Sequence, residues 1–311
     1  MERVGTIEAK RLRKGGGLLY GGGVRIDQIL ARPDPVFSFE FFPPKTDAGR
    51  EALVGTIDEL KPLDPAYVSV TYGAMGSNRG QVIEIVSEIK NRIGIEAMAH
   101  LTCVGHTREE LSSVLDDLAS VGIENVLALR GDPPPGTDFQ ATRGGFAHAA
   151  DLVALIRKRG GFCIGGAAYP EVHPDAPDAE TDLGHLRAKV GAGTDFLVSQ
   201  LFFDNQDYFS FLTQVRQAGI EVPVLPGIMP VTNLGQVKRF TDMCGAALPA
   251  DLLRALEEAG DDEAAVLEIG VEHALQQCRD LLKGGAPGVH FYTLNKSAST
   301  REILTRLRAD D

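Results

Sequence analysis

Glu40 stands in FSFEFFPPK, Phe37 to Lys45, a lone carboxylate among four phenylalanines in a run that ends on two prolines. An ionised carboxylate is strongly disfavoured in apolar surroundings, so Glu40 must have a partner, hold its proton, or face a cavity. Further groups able to do chemistry follow at intervals: Thr71 and Tyr72, His100 and Thr102, Arg130 with Asp132, then Tyr169, Glu171 and His173 in YPEVHP, and Gln200. Each has a plain explanation when taken singly. Glu40 could be a rim residue paired with a lysine or arginine, and Asp132 in RGDPPPG could cap the turn before Pro133. His100, Cys103 and His106 in HLTCVGH mimic a metal cluster, but residues 100 and 103 are an odd number apart and would face opposite sides of one strand. Together, these carboxylates, an arginine, histidines and a glutamine suit a cavity that takes a planar, hydrogen-bonding heterocycle.

Convergence of these groups needs a scaffold. From Val36 onward, short β-rich runs alternate with amphipathic segments, which predicts parallel strands joined by crossover helices. The predicted strands start at Val36, Tyr67, Glu96, Asn125, Phe162, Asp195, Val222 and Gly288. Thr107 and Glu110 have capping-box spacing, marking a helix that runs to about Val121. Eight βα units without an internal break predict an α/β fold, a single (β/α)8 TIM barrel over residues 33–311. An open sheet is the rival. Extra helical material, LPADLLRALEEAG and a long helix from about Glu263 to Leu282, precedes the last strand. In a barrel the polar residues named above end successive strands and share one mouth.

Residues 1–32, with GGG at Gly15 to Gly17 and again at Gly21 to Gly23, read as a flexible leader. GGGLLYGGG follows no strand and lacks GxGxxG spacing, so it is not taken as a nucleotide loop. A formal net charge of −12 argues against a nucleic-acid partner, which requires a basic face. Four scattered cysteines form no CxxC pair, fitting reduced thiols. With no apolar run long enough for a membrane span and no signal-type stretch, the reading is a cytoplasmic protein that acts on a small molecule.

The motifs FEFFPPK, VSVTYGAMGSNR, HLTC, NVLALRGDPPPG, AAYPEVHP, the Gln of SQLFFD, PGIMPVTN and HFYTLN occur in this order between about Val36 and Leu307. In this the chain resembles the bacterial methylenetetrahydrofolate reductases. The resemblance implies a (β/α)8 barrel carrying FAD. It also implies reduction of 5,10-methylenetetrahydrofolate to 5-methyltetrahydrofolate, with NADH or NADPH first reducing the flavin in a ping-pong cycle. Glu40 matches the family's catalytic acid, which delivers a proton toward N10. Walled by Phe37, Phe39, Phe41 and Phe42, it is expected to hold that proton toward neutrality, because desolvation penalises the charged form. Asp132 matches an aspartate beside flavin and folate, where negative charge lowers the flavin potential and steadies a cationic iminium.

Further flavin contacts carry over at Thr71, His100, Arg130, Gly131, His148, Ala149, His173, Ala176, Asp182 and Lys189. Among these, Arg130, His173 and Lys189 are expected to neutralise phosphates or orient the ribityl chain. Substrate-side matches are Gln200, Gln236, Phe240 and Lys296, with Phe240 as a stacking face. His148 stands where relatives have tyrosine, Met75 and Asn78 interrupt a loop usually reading GAGGSTR, and Lys296 replaces an arginine. The family resemblance also implies self-association into a homo-oligomer. It gives no expectation of the adenosylmethionine response of longer eukaryotic relatives, since this sequence ends soon after Leu307. Two rival readings stay open, direct hydride transfer from nicotinamide without flavin and a non-catalytic barrel that binds a pterin or nucleotide.

Overall fold

In the computed structural model, the described residues are 24–72, 79–133, 137 and 139–309. The triple-glycine runs, Met75 and Asn78 lie outside them. Nine parallel strands form one sheet: β1 Val36–Phe41, β2 Tyr67–Val70, β3 Ala97–Thr102, β4 Asn125–Leu129, β5 Cys163–Ala168, β6 Phe196–Ser199, β7 Val224–Leu225, β8 Gly227–Ile228 and β9 Gly288–Tyr292. Strands β7 and β8 are one extended segment interrupted at Pro226, which has no N–H to give a ladder. Since β7 pairs with β6, β8 with β9, and β9 with β1, the sheet closes on itself with the eight strand positions that the sequence predicts. No helix among the described residues is long and apolar enough to cross a membrane.

The helices are α1 Ile26–Leu30, α2 Asp47–Leu60, α3 Arg79–Ser87, α4 Arg108–Ser120, α5 Ala149–Arg159, α6 Ala179–Gly191, α7 Asn205–Gln217, α8 Leu234–Cys244, α9 Ala250–Ala259, α10 Glu263–Lys283 and α11 Ala298–Ala309. The expected capping box is present at α4, where Thr107 and Glu110 satisfy each other's backbone N–H. Three helices, α8 to α10, fill the interval before β9, as the extra helical sequence predicts. They bury Leu201, Met229, Val231, Val237, Leu252 and Leu256 in a satellite core beside the barrel.

Strand alternation sorts the side chains. Odd-numbered residues of β1, Phe37, Phe39 and Phe41, pack outward against the helices in the main core with Val68, Ala99, Val126 and Phe291. Even-numbered Ser38 and Glu40 therefore face inward. A second core fills the barrel floor, where Ile26, Ile29 and Leu30 of α1 meet Met98, Leu127, Cys163 and Phe196. Polar ties hold this plug. The Ile26 N–H donates to Asn125 Oδ1 at 2.9 Å and the Val24 N–H to Glu96 Oε2 at 3.1 Å. Glu96 is itself held by Lys90 at 2.9 Å and the Asn125 amide at 3.0 Å. Val24 to Leu30, which precede the barrel's first strand, are thereby packed into its floor.

One close approach fixes the satellite helices against the barrel. A Cβ added at Gly270 of α10 would lie 1.8 Å from the Val231 carbonyl oxygen, a backbone atom that cannot swing aside. Gly270→Ala is expected to destabilise by about 2–3 kcal/mol through forced separation of α10 from the β8–α8 loop. Denaturant unfolding checks this, and a cost below about 0.5 kcal/mol, the usual range for an innocuous surface change, would show that α10 moves off freely.

Candidate active site

Glu40 ends the inward row of β1 and is 8% exposed. Its Cα registers with Ser69 of β2 on one side and Tyr292 of β9 on the other. The carboxylate meets a polar trio rather than an aromatic wall. His290 Nε2 lies 3.3 Å from Glu40 Oε2, the Ser69 hydroxyl 3.5 Å, and His100 Nε2 3.3 Å. The last approach is close but poorly aligned for a hydrogen bond, so His100 acts on Glu40 chiefly through charge. Behind His290, Ser38 Oγ sits 2.7 Å from Nδ1, and the Tyr67 ring stacks at 6.0 Å. Oε1 of Glu40 takes no hydrogen bond or ion pair among the described residues.

Two expectations about Glu40 are thereby corrected. Phe37, Phe39 and Phe41 are on the opposite face of the strand, and Phe42 is 41% exposed, so no phenylalanine wall surrounds the carboxylate. Its proton is not retained either. Burial alone pushes the carboxyl up, but the charge of His100 and the hydrogen bond from His290 outweigh burial and bring Glu40 down to about 2. The site at rest holds a carboxylate beside two imidazoles.

A second group gathers at the ends of β4 and β5. Arg130 pairs with Asp175 at 2.8 Å and lies over the Phe139 ring at 4.7 Å. His173 stacks obliquely on Tyr169 at 4.4 Å, its backbone N–H donates to Asp182 Oδ2 at 3.1 Å, and its ring Nδ1 accepts the Asp175 backbone N–H at 3.0 Å. Burial first, then Arg130, lowers the His173 pKa, which with the Nδ1 contact leaves a neutral ring protonated at Nε2. Ala176 closes the turn by donating its N–H to the His173 carbonyl at 2.8 Å. Lys189 of α6 buries its ammonium on the Ala167 carbonyl, and burial lowers its pKa to about 8, still cationic at neutral pH. Arg130 and Lys189 are thus cations already committed to protein partners, and an anionic ligand must compete for them.

Gly131 has φ +82, and a Cβ there would lie 2.5 Å from Val104 Cγ1, so only glycine carries the chain past β3 to Asp132. Asp132 is exposed and close enough to Tyr169 for its charge to help raise the phenol, after burial, to about 12. Gln200 follows β6, where its side-chain Oε1 accepts the Leu201 N–H at 2.9 Å. Thr71 donates its N–H to the Phe41 carbonyl at 2.9 Å, at the ends of β1 and β2. His148 precedes Ala149 at the start of α5, with its ring 6.4 Å from that of His185.

The structure thus joins Glu40 to His100, and links Arg130, His173, Ala176, Asp182 and Lys189 into one polar group. Gln236 and Phe240 are on α8, and among the described residues neither makes a hydrogen bond or ion pair with Glu40. Gln236 is half-buried in the first turn, and Phe240 is partly buried against the satellite core. Lys296 is exposed after β9. Ser38, Ser69 and His290 escaped the sequence reading, which searched strand ends. The period-2 parity of SFE, YVSV and GVHFY, with Glu40 taken as inward, would have found them.

Could this mouth hold a dinucleotide cofactor? His100 Nε2 and Thr102 Oγ1 are buried without a hydrogen-bond partner, and Arg130 and Lys189 supply positive charge nearby in the fold. Orphaned polar atoms of this kind call for a polar ligand, so the residues present fit such a group.

The family profile described as methylenetetrahydrofolate reductase matches residues 25–308. The chain is 41% identical over 295 residues to methylenetetrahydrofolate reductase (NADH) 1 of Arabidopsis thaliana, covering 91% of this chain and 50% of that protein. It therefore spans about half the length of its plant relatives. It is 41% identical over 270 residues to the 5,10-methylenetetrahydrofolate reductase of Escherichia coli (strain K12), covering 87% of this chain and 90% of that one. Among solved structures, an uncharacterized protein from Clostridium thermocellum that binds two copies of 5-methyl-5,6,7,8-tetrahydrofolic acid matches with a TM-score of 0.61 at 14% identity. That match covers 92% of this chain and 99% of the other, and at this identity it speaks for the fold alone. On the family match and the two-fifths identity to its relatives, the chain belongs to the methylenetetrahydrofolate reductase family.

Proposed function

We propose that this protein reduces 5,10-methylenetetrahydrofolate to 5-methyltetrahydrofolate, using NADH or NADPH through bound FAD. Family membership supports the overall reaction, and the plant relatives named for NADH support a nicotinamide donor. The observation that carries the reading is a carboxylate at the end of an inward strand row, nearly buried, braced by two imidazoles at 3.3 Å and with one oxygen uncommitted.

FAD, when bound, supplies the hydride. Thr71, His100, Arg130, Gly131, Asp132, His148, Ala149, His173, Ala176, Asp182 and Lys189 would hold it. Gln200, Gln236, Phe240 and Lys296 would take the folate. Opening the folate's five-membered ring requires a proton at N10 as the bond from N10 to the methylene carbon breaks, leaving a cationic iminium at N5. Glu40 is the conduit for that proton rather than its store. Its own affinity for a proton is weak at rest, so Glu40 first takes a proton from a protonated His290, whose Nε2 lies 3.3 Å from Oε2, and the carboxylic acid so formed gives its proton to N10, which leaves a carboxylate beside a neutral His290. Ser38 on His290 Nδ1 holds the ring in the orientation that points Nε2 at Glu40. Asp132, next in line after Gly131, places a negative charge that steadies the iminium before hydride arrives.

The retained donor set favours the flavin route over direct transfer. The purified protein is expected to be yellow, to bleach anaerobically on adding NADH or NADPH, and to regain colour on adding 5,10-methylenetetrahydrofolate. A colourless but active preparation would establish direct hydride transfer instead, and a colourless inert one a binding barrel.

A further inference from the structure

The β1–β9 ladder stops at the pair Glu40 and Tyr292, yet the β1 backbone continues to be bonded beyond that point. Thr293 Oγ1 donates to the Glu40 carbonyl at 2.6 Å. Two residues later, the Asn295 amide makes both bonds of a strand partner to one residue. Its Oδ1 accepts the Phe42 N–H at 2.8 Å and its Nδ2 donates to the Phe42 carbonyl at 2.9 Å. The Asn295 N–H in turn donates to Thr293 Oγ1 at 3.2 Å, orienting the hydroxyl that grips Glu40. After Phe42 come Pro43 and Pro44, neither of which offers an N–H to a ladder, so Phe42 is the last residue of this stretch that can donate before Lys45.

The loop that brings Asn295 into place is backbone-strained. Leu294 and Asn295 take φ of 52° and 59°, a left-handed pair in which leucine is costly and asparagine tolerated. Strain of this kind persists where the surrounding contacts over-determine it. Position 295 needs a residue that accepts left-handed φ and carries a donor and an acceptor on a short side chain. Asparagine meets all three conditions; aspartate lacks the donor, and glycine lacks the side chain.

We propose that Asn295 is a positioning residue for Glu40, its side chain acting as an extra rung that fixes the backbone on the far side of the carboxylate. This rests on the reductase reading, in which Glu40 moves the proton. Glycine at 295 keeps the left-handed backbone and removes only the rung, so Asn295→Gly isolates the effect, with Asn295→Asp as the milder variant should the first fold poorly.

Three measurements test it on the holoenzyme. Hydrogen exchange at the Phe42 amide should speed up about tenfold or more in Asn295→Gly, as expected for the loss of a lone protecting bond. Folate-dependent reoxidation should slow by about 10–100-fold, the scale of a sub-ångström to ångström misplacement, with nicotinamide-dependent flavin reduction within about twofold of the parent. Asn295→Asp, which keeps the acceptor for the Phe42 N–H, should fall between. Parent-rate folate reoxidation in Asn295→Gly, an unchanged Phe42 exchange rate, or an equal fall of both half-reactions would overturn the proposal, the last by showing a merely structural role. Glu40→Gln run alongside separates the two layers. If it too keeps the parent rate, the reductase reading of Glu40 fails; if it alone loses folate turnover, only the positioning role fails.

Discussion

Replacing Glu40 by glutamine is expected to lower folate-dependent turnover by about 10³-fold, within the range that a positioned general acid contributes. Flavin content and the rate of reduction by NADH or NADPH should stay near parent values, because that half-reaction needs no proton at N10. The amide is close in size and can still accept from His290 and Ser69, which lie 3.3 and 3.5 Å from Oε2, so packing is preserved while proton transfer is lost. Single-turnover measurements of the two half-reactions separate these effects. Equal losses in both would mean that the substitution disturbs the site as a whole, and retained folate turnover would remove Glu40 from the chemistry.

His290→Gln is expected to have the largest effect on stability. Glutamine can donate to Glu40 but cannot take positive charge, so a nearly buried carboxylate loses one of the two imidazoles that lie 3.3 Å from it. Breaking a buried pair in this way costs about 3–5 kcal/mol when the remaining charge has no other partner, and His100 and Ser69 place the expectation toward the lower end. The sign of the pH dependence follows from Glu40. Its pKa in the folded protein is depressed from 4.5 to about 2, so the stabilisation is complete above pH 4.5 and fades as pH falls toward about 2. The stability gap between parent and His290→Gln should therefore be widest near neutrality and shrink through that acid window. Urea unfolding at a series of pH values measures it, and a gap that grows toward acid would show that the carboxylate is not what His290 stabilises. In the same variant Glu40, without the imidazole of His290 beside it, should hold its proton more firmly, so its carboxylate should convert to the acid form at a higher pH than in the parent.

The barrel was legible because parallel strands buried on both faces leave long apolar runs, and all eight predicted runs from Val36 to Gly288 coincide with strand positions. Polar residues at strand ends were legible for the same reason, since Glu40, His100 and Arg130 interrupt or end such runs. The surroundings of Glu40 were misread because neighbours in sequence are not neighbours in a strand. Phe39 and Phe41 flank it in the chain and face away from it, while its true partners come from β2, β3 and β9, as far as 250 residues along. His290 lies in the middle of β9 rather than at its end, so a search of strand ends passes over it. The floor helix was hidden by the glycine-rich composition before it, although Ile26, Ile29 and Leu30 have the three- and four-residue spacing of a helix face. Asn295 gave no signal at all, because its role depends on a left-handed backbone that no local pattern specifies.

In the resting site Glu40 is ionised, and a proton reaches it only when folate is to be opened. Isotope-edited infrared difference spectra of ¹³C-glutamate-labelled protein, parent minus Glu40→Gln, read the ionisation of this one side chain directly. A carboxylate band throughout pH 5 to 8, converting to the acid form only in strongly acidic buffer, is the predicted result. A carboxylic-acid band from Glu40 at pH 7 would contradict it.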